Sequence, residues 1–184
     1  MKILIGSLTN RGFKAKTVES LMNLDVPFDK EFVVATQGYH IAENRNWLAF
    51  KALNGGFDYL LMIDDDMTFP PCTLTKLLGH QKEVVGVAAR SRTGENVVQM
   101  LDGSVPKDLP KELFECLGVG TGVILIKVEI LKYIPYPFFA FKSDINGVTV
   151  QGEDWSFCKK VKEKGYKIFC DPTIQVGHIG EQIF

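Results

Sequence analysis

Residues 58–78 read DYLLMIDDDMTFPPCTLTKLL, in which four consecutive apolar residues lead directly into three carboxylates. The apolar run follows Gly55-Gly56 and precedes Pro70-Pro71, a setting that indicates a short buried strand ending at the acids. Three adjacent carboxylates repel one another, and ligands of open α/β sheets bind where strands reach their carboxyl ends. The stretch therefore predicts an acidic site at a sheet edge, relieved by a divalent cation that bridges to a phosphate.

The length and composition of the chain limit the number of domains and the classes of partner. With 184 residues, of which 46% are apolar, the chain suits one well-cored domain. Lysine and arginine number 21 against 22 acidic residues, and the net charge of -1 gives no general attraction to nucleic acid or to anionic membranes. We therefore expect no nucleic-acid partner, and any anion must be captured locally.

The cysteines and the hydropathy pattern suggest a cytoplasmic protein. The four cysteines form no CxxC pair and no zinc-type or disulfide spacing. The N-terminus has no signal-peptide core, and no stretch reaches membrane-spanning length, so no transmembrane segment is expected.

The first ninety residues alternate between strand and helix patterns. This order predicts an α/β fold with a mixed, mainly parallel sheet covered by helices on both faces. The predicted strands are residues 2–8, 31–35, 59–63 and 84–88, and the predicted helices are residues 14–24, 41–53 and 72–78.

The rest of the chain divides into two parts. Residues 91–117 lack periodicity and are interrupted by glycine and proline, which predicts a loop-rich excursion. Residues 118–184 begin with the closely spaced Gly118, Gly120 and Gly122 before an apolar strand at residues 123–126; glycines beside a strand let a ligand or backbone approach closely. A helix then opens at Gly152, and a strand follows at residues 166–170.

Several side chains carry chemistry besides the acidic triplet. Asp64 and Asp66 form a DxD pattern, which two carboxylates can use to share a cation and its diphosphate. His178 follows a strand-like segment, and imidazole with carboxylates suits Mn2+, tolerates Mg2+ and also suits zinc. Glu153 and Asp154 open a helix beside Trp155, a grouping that suits a base next to a sugar-binding aromatic. Equally, these acids could simply complement the helix dipole.

Two further segments are candidates for nucleotide binding. Arg45 and Asn46 stand near the start of a predicted helix, where amides attract phosphate. Thr9 and Arg11 follow the first strand, where a base and ribose commonly sit in α/β folds. The segment has neither GxGxxG nor GxxxxGK[ST], which argues against a dinucleotide or Walker-type site.

In order and spacing, these motifs resemble the metal-dependent nucleotide-sugar glycosyltransferases of the GT-A fold, especially the inverting, family-2-like group. The resemblance rests on the first strand with its loop, the Arg45-Asn46 pair, residues 58–78, GVGTGVILIK at residues 118–127, and the segment from Gly152 to Gly180.

The resemblance implies a single GT-A domain over residues 1–184, with a nucleotide-binding part at 1–90, the excursion at 91–117 and a donor-sugar and acceptor part at 118–184. It implies a hexosyltransferase-type enzyme that uses a UDP- or GDP-sugar, with Mn2+ or Mg2+ as cofactor. The acceptor could be a glycan, a lipid-linked sugar, a protein or a small molecule.

The same resemblance assigns residue roles. Asp154 would be the catalytic base, and Glu153 and Trp155 would orient the acceptor. The metal would bind Asp66 and His178, with Asp64 assisting through water. The donor would contact Thr9, Arg11, Arg45, Asp64, Asp65, Gly120, Thr121 and Gly122. Direct displacement would invert the anomeric configuration, although the sequence leaves a retaining outcome open.

Two other functions fit parts of the sequence. Asp64-x-Asp66-x-Thr68 matches the nucleophile motif of haloacid-dehalogenase-type phosphatases, in which Asp64 would be phosphorylated. That motif normally lies on the first core strand, whereas here about sixty residues of α/β pattern precede it. A glycosyltransferase-like domain that only binds a nucleotide-sugar or a glycan is the non-enzymatic alternative.

Overall fold

A central sheet organises the chain. The computed structural model describes residues 1–9, 12–26, 29–36, 40–91 and 94–180. The strands are β1 (Lys2–Leu8), β2 (Asp29–Ala35), β3 (Tyr59–Asp64), β4 (Met67–Thr68), β5 (Val84–Val87), β6 (Val98–Gln99), β7 (Phe114–Cys116), β8 (Gly118–Val119), β9 (Val123–Lys127), β10 (Lys142–Ser143), β11 (Thr149–Gln151), β12 (Ile168–Asp171) and β13 (Gly177–His178). The α-helices are α1 (Ala15–Met22), α2 (Ile41–Asn54), α3 (Thr73–Gly79) and α4 (Glu153–Glu163), and a 3-10 helix spans Val128–Lys132.

The sheet has seven strands in the order β2-β1-β3-β9-β5-β12-β7. Parallel pairing joins β1 to β2 and β3, and joins β5 to β12. Strand β9 runs antiparallel between β3 and β5, and β7 runs antiparallel at the edge beside β12. The expected mixed α/β architecture is therefore confirmed.

Alternation along β3 divides the core into two layers. Leu60 and Met62 point into one cluster, while Leu61 and Ile63 point into the other, and all four side chains are fully buried. The first cluster includes residues of α2 and α4, and the second includes residues of α1 and α3. Helices thus cover both faces of the sheet. Asp64, the last residue of β3, lies at the rim of the sheet, beyond the buried part of the strand.

The predicted elements differ from the observed ones by a few residues at their ends. Within residues 91–117, the structure adds the short strands β6 and β7, of which β7 belongs to the main sheet. The local sequence shows no hydrophobic periodicity that would predict such short strands. Strand β7 is stabilised by pairing with β12, which lies about fifty residues later in the chain. Among the described helices, none combines the length and the apolarity needed to cross a bilayer.

Candidate active site

The acidic triplet lies where β3 leaves the sheet, and the backbone there is held from three directions. The amide of Asp64 donates to the Gly122 carbonyl over 2.9 Å. The carbonyls of Asp65 and Asp66 accept from the amides of Lys14 and Ile179 at 3.0 and 2.8 Å. These contacts hold the turn against the loop after β1, the loop before β9 and the segment after β13.

The structure brings Asp66 together with His178, a residue 112 positions away in sequence. Strand β13 pairs antiparallel with β4, placing His178 opposite Met67. As a result, the Nε2 atom of His178 lies 3.0 Å from Oδ2 of Asp66. The side chains of His178 and Asp66 are 25% and 15% exposed, so the pair is open to a ligand.

The other ring nitrogen defines what this pair can bind. Nδ1 of His178 lies 3.0 Å from the carbonyl oxygen of Arg90. A carbonyl only accepts hydrogen bonds, so Nδ1 carries a proton and the lone pair of a neutral ring resides on Nε2. Nε2 is therefore the ring nitrogen that faces the Asp66 carboxylate and that can offer a lone pair to a cation.

The pair fits a divalent cation in part. An imidazole nitrogen and a carboxylate oxygen form a donor set suited to Mn2+, and a carbonyl on the opposite ring nitrogen is the usual orienting partner of a ligating histidine. No group of three or more His, Cys, Asp or Glu side chains able to hold a metal occurs within the described ranges. Asp66 and His178 would thus leave most coordination positions to a phosphate ligand and water.

Asp64 joins a buried ion cluster with Arg45 and Glu153. The Nη2 atom of Arg45 donates to both carboxylate oxygens of Asp64 at 2.9 and 3.0 Å, and Nη1 donates to Oε1 of Glu153. Arg45 is only 3% exposed and Glu153 is 7% exposed. This cluster, which we call the Arg45 triad, ties α2 to the end of β3 and to the start of α4.

The Arg45 triad contains two carboxyl groups and one guanidinium, and this imbalance together with burial shifts the pKa values of all three groups. Burial raises the pKa of Asp64 and of Glu153, and Arg45 only partly offsets this effect. Burial opposes the charge of Arg45 as well, but Asp64, Glu153 and Asp154 together raise its pKa. The guanidinium therefore stays charged. The resemblance assigned Arg45 to the donor and Glu153 to the acceptor, and in the structure these two side chains contact each other.

Asp154 and Trp155 lie in the first turn of α4. Asp154 is half-buried, and its Oδ1 atom accepts from the Trp155 amide over 2.7 Å. The structure half-buries the Trp155 ring against Gly118. A Cβ at Gly118 would lie 2.4 Å from the ring, so the absence of a side chain there is what lets Trp155 pack.

The glycine-rich loop before β9 packs closely against the acidic turn. Besides the Gly122 carbonyl that anchors Asp64, a Cβ at Gly122 would lie 3.3 Å from Sδ of Met67, which shows how closely the two segments pack. A Cβ at Gly120 would lie 2.7 Å from a methyl group of Val97. Thr121 is buried, and its hydroxyl has no hydrogen-bond partner in the described structure.

Of the residues expected around a nucleotide base and ribose, Thr9 is described and Arg11 lies outside the described residues. Thr9 is buried, and its hydroxyl accepts from the Gly12 amide over 2.8 Å. The neighbouring Ser7 donates its hydroxyl to the carbonyl of Ile63, which fastens β1 to β3 just before the acids.

Sequence reasoning did not find two contributors to the site. The Arg90 carbonyl orients His178, and Gly118 makes room for Trp155. A main-chain carbonyl leaves no side-chain signal. The glycine run at residues 118–122 did suggest close approach, although it did not identify the partner.

No protein-family model matches the sequence, and the search of curated proteins found no match. Solved structures do resemble the chain. Over 98% of its length it superposes on A197 from STIV, with a TM-score of 0.73 and 21% identity, covering 87% of that chain.

Two other similar structures are proteins solved with nucleotides. GalNAc-T7, crystallised with UDP, GalNAc and Mn2+, gives a TM-score of 0.67 at 10% identity over 98% of this chain. S. aureus TarS 1-349, in complex with UDP-GlcNAc, gives 0.58 at 14% identity over 99% of this chain. The chain spans 44% of the first and 60% of the second. At these identities, the likeness shows the fold: an α/β fold of the GT-A type.

Proposed function

We propose that this chain transfers a sugar from a nucleotide-sugar donor to an acceptor hydroxyl, with a divalent cation as cofactor. The observation that carries the proposal is the pairing of Asp66 with His178 at the carboxyl end of β3. Two residues separated by 112 positions meet where an α/β sheet binds ligands. The solved structures with UDP and Mn2+, or with UDP-GlcNAc, share this fold and support the choice of ligand.

Asp66 and His178 are the residues that would hold Mn2+ or Mg2+. The carbonyl of Arg90 keeps the lone pair of His178 aimed at Asp66, so the two ligands are oriented before an ion arrives. When bound, the cation supplies positive charge that offsets the negative charge developing on the departing diphosphate. Asp65 and the loop at Gly120, Thr121 and Gly122 would border the donor.

Asp154 is proposed as the general base. It is half-buried, and its Oδ1 already accepts one hydrogen bond, which orients the carboxylate at the N-terminal end of α4. The acceptor oxygen would form a bond to the anomeric carbon while the bond from that carbon to the diphosphate oxygen breaks. Asp154 takes the hydroxyl proton, and displacement in one step inverts the configuration of a transferred hexose.

The Arg45 triad is proposed to position the base and the acidic turn relative to each other. Glu153 precedes Asp154 at the start of α4, and Asp64 ends β3, and Arg45 binds both carboxylates at once. Arg45 and Glu153 therefore act through Asp154 and Asp66 in this proposal. Trp155 would line the acceptor side through its exposed part.

A donor screen tests the proposal. Purified protein is incubated with UDP-, GDP-, CMP- and dTDP-sugars and with Mn2+ or Mg2+, and released nucleotide is measured. We expect release from one donor class, its loss with a chelator, and a decrease of about 100- to 10,000-fold for Asp154→Asn, the range expected for a lost general base. Asp66→Asn and His178→Ala should abolish metal-dependent release.

Asp29→Asn serves as the matched control, because Asp29 is an exposed carboxylate that pairs with Lys2 at the start of β1, at the opposite end of the strands from Asp64. A wild-type rate in Asp66→Asn would contradict the proposal. The phosphatase alternative predicts a phosphorylated Asp64, whose two oxygens are here bound by Arg45. Saturable nucleotide-sugar binding without turnover against acceptors or water would support the binding-domain alternative.

A further inference from the structure

Besides Asp66 and His178, the structure holds another contact between a histidine and an aspartate. The Nε2 atom of His80 lies 2.7 Å from Oδ2 of Asp171, across 91 positions of sequence. His80 follows the last residue of α3, and Asp171 is the last residue of β12. The proposed reaction makes no direct use of this pair, and the two residues belong to none of the motifs described above.

The carboxylate of Asp171 is buried and hydrogen-bonded at both oxygens. Asp171 is 2% exposed, and its Oδ1 accepts from the amide and the hydroxyl of Thr173 at 2.8 and 2.7 Å. Burial raises the pKa of Asp171, but the hydrogen bonds with His80 and Thr173 lower it below its ordinary value. An ionised carboxylate only accepts hydrogen bonds, so Nε2 of His80 is the donor. Such charge-assisted bonds are stronger than neutral ones and fix the end of β12 against α3.

The two histidine-aspartate pairs join the same two segments of the chain. One segment runs from Asp66 through β4 and α3 to His80, and the other runs from Asp171 through β13. We call the second segment, residues 171–179, the histidine arm, because it carries His178. Each segment contributes a histidine to one pair and an aspartate to the other. The histidine arm is therefore held at both of its ends by the segment that contains the acidic turn.

The contacts between the two ends of the histidine arm are few. Ile174 is buried in the same apolar cluster as Leu74 and Leu77 of α3. Near the tip, β13 and β4 comprise only two residues each, and so short a two-stranded ladder has little stability of its own. The position of His178 thus depends on the base of the arm as well as on the ladder beside it.

We propose that His80 and Asp171 are positioning residues, which hold the histidine arm so that Nε2 of His178 stays directed at Asp66. The inference rests on the proposed function in taking Asp66 and His178 as the ligands of the cation. Residues outside the ligand shell affect metal binding by fixing the orientation of the ligands before the ion arrives. The orientation of His178 can itself be measured without donor, acceptor or metal.

Nuclear magnetic resonance of the imidazole rings tests the proposal. The chain has three histidines, and His178→Ala identifies the signals of His178. Because Nδ1 of His178 faces the Arg90 carbonyl, we expect one tautomer in the wild type. His80→Phe keeps a ring but removes the donor to Asp171, and it should shift the His178 signals and mix the tautomers. His80→Gln, whose amide can replace that donor, should preserve the wild-type signals.

Mn2+ alone, added to the same samples, gives a second readout. The ion broadens the signals of nearby nuclei, so its titration against the His178 signals yields an apparent affinity. We expect His80→Phe to weaken this affinity about tenfold, the lower end of the effect of residues outside the ligand shell, and His80→Gln to leave it unchanged. Ile130→Val is the control, since it trims a buried side chain in the other core layer and should change neither readout.

The outcomes separate this inference from the proposed function. The side chain of His80 is 26% exposed, so the site can accept phenylalanine, and the smaller His80→Ala should give the same result. Wild-type His178 signals in both variants would overturn the inference. Equal changes in Ile130→Val would also overturn it, because they would reflect a general loss of stability. Failure of Mn2+ to broaden the wild-type His178 signals would instead contradict the proposed cation site, while the metal-free signals would still decide the role of His80.

Discussion

Removing the charge of Arg45 should destabilise the protein strongly, because it leaves two carboxylates without their shared cation. Arg45→Met keeps most of the side-chain stem and removes the guanidinium. Arg45 is 3% exposed, and the side chains of Asp64 and Glu153 are 22% and 9% exposed. Breaking a buried ion pair costs about 3–5 kcal/mol. We expect about 3 kcal/mol, the lower end, because water reaches part of Asp64.

Urea denaturation and thermal unfolding measure this loss. For a domain of this size, 3 kcal/mol corresponds to a fall in Tm of about 6–12 °C. Lys159→Met is the control, since Lys159 and its partner Glu163 are both 58% exposed and their ion pair should contribute no measurable stability. Adding Glu153→Gln to Arg45→Met should recover part of the loss, because one of the two uncompensated charges is then absent.

The loss should also depend on pH in a defined direction. Burial already raises the pKa of Asp64 and Glu153, and removal of Arg45 raises both further. The folded variant then binds protons more tightly than its unfolded chain, so its stability falls as pH rises from about 4, the ordinary carboxyl value, through the raised pKa values. A loss below about 1 kcal/mol at pH 7, or one that is constant from pH 5 to 8, would refute this reasoning.

Three further outcomes are expected. Gly118→Ala should displace the Trp155 ring, because the new Cβ would lie 2.4 Å from it; a cost of about 1–3 kcal/mol and a changed tryptophan emission spectrum would show this, and unchanged emission would not fit. His178→Ala should weaken Mn2+ binding in the presence of a nucleoside diphosphate at least about tenfold by calorimetry, since it removes one of two proposed protein ligands. Asp171→Asn should lower stability at pH 7 by about 1–3 kcal/mol: burial alone would raise the pKa of Asp171, but hydrogen bonds with His80 and Thr173 lower it. The wild-type advantage should then shrink as pH falls through that lowered pKa, and a pH-independent difference in chemical denaturation would contradict it.

The strand and helix patterns were predictable because each depends on neighbouring residues. The continuous apolar run before Asp64 indicated a buried strand, and β3 is buried on both faces. The order of strands was not predictable in this way. Residues 123–126 indicated a strand, but its insertion between β3 and β5 depends on contacts across the whole domain.

The sequence indicated candidate site residues, but it did not indicate which side chains contact one another. Asp66 and His178 were expected to share a ligand, and the structure places them side by side. The roles of Arg45 at the donor and Glu153 at the acceptor stay predictions, and the structure adds that these two side chains pair over a separation of 108 residues. Such a pairing has no local sequence signal, since a charged residue near a helix start is normally solvated.

The position of β9 has a consequence for how the chain folds. Strands β1, β2 and β3 can pair with one another as soon as they are made, but β5 has no partner among them. Strand β5 joins them only when β9 enters between β3 and β5 and hydrogen-bonds to both. Closing that connection requires contacts between distant parts of the chain, which slows folding relative to local pairing. A fragment that stops before β9 should therefore expose the inner edges of β3 and β5, two strands rich in buried apolar residues, and should aggregate.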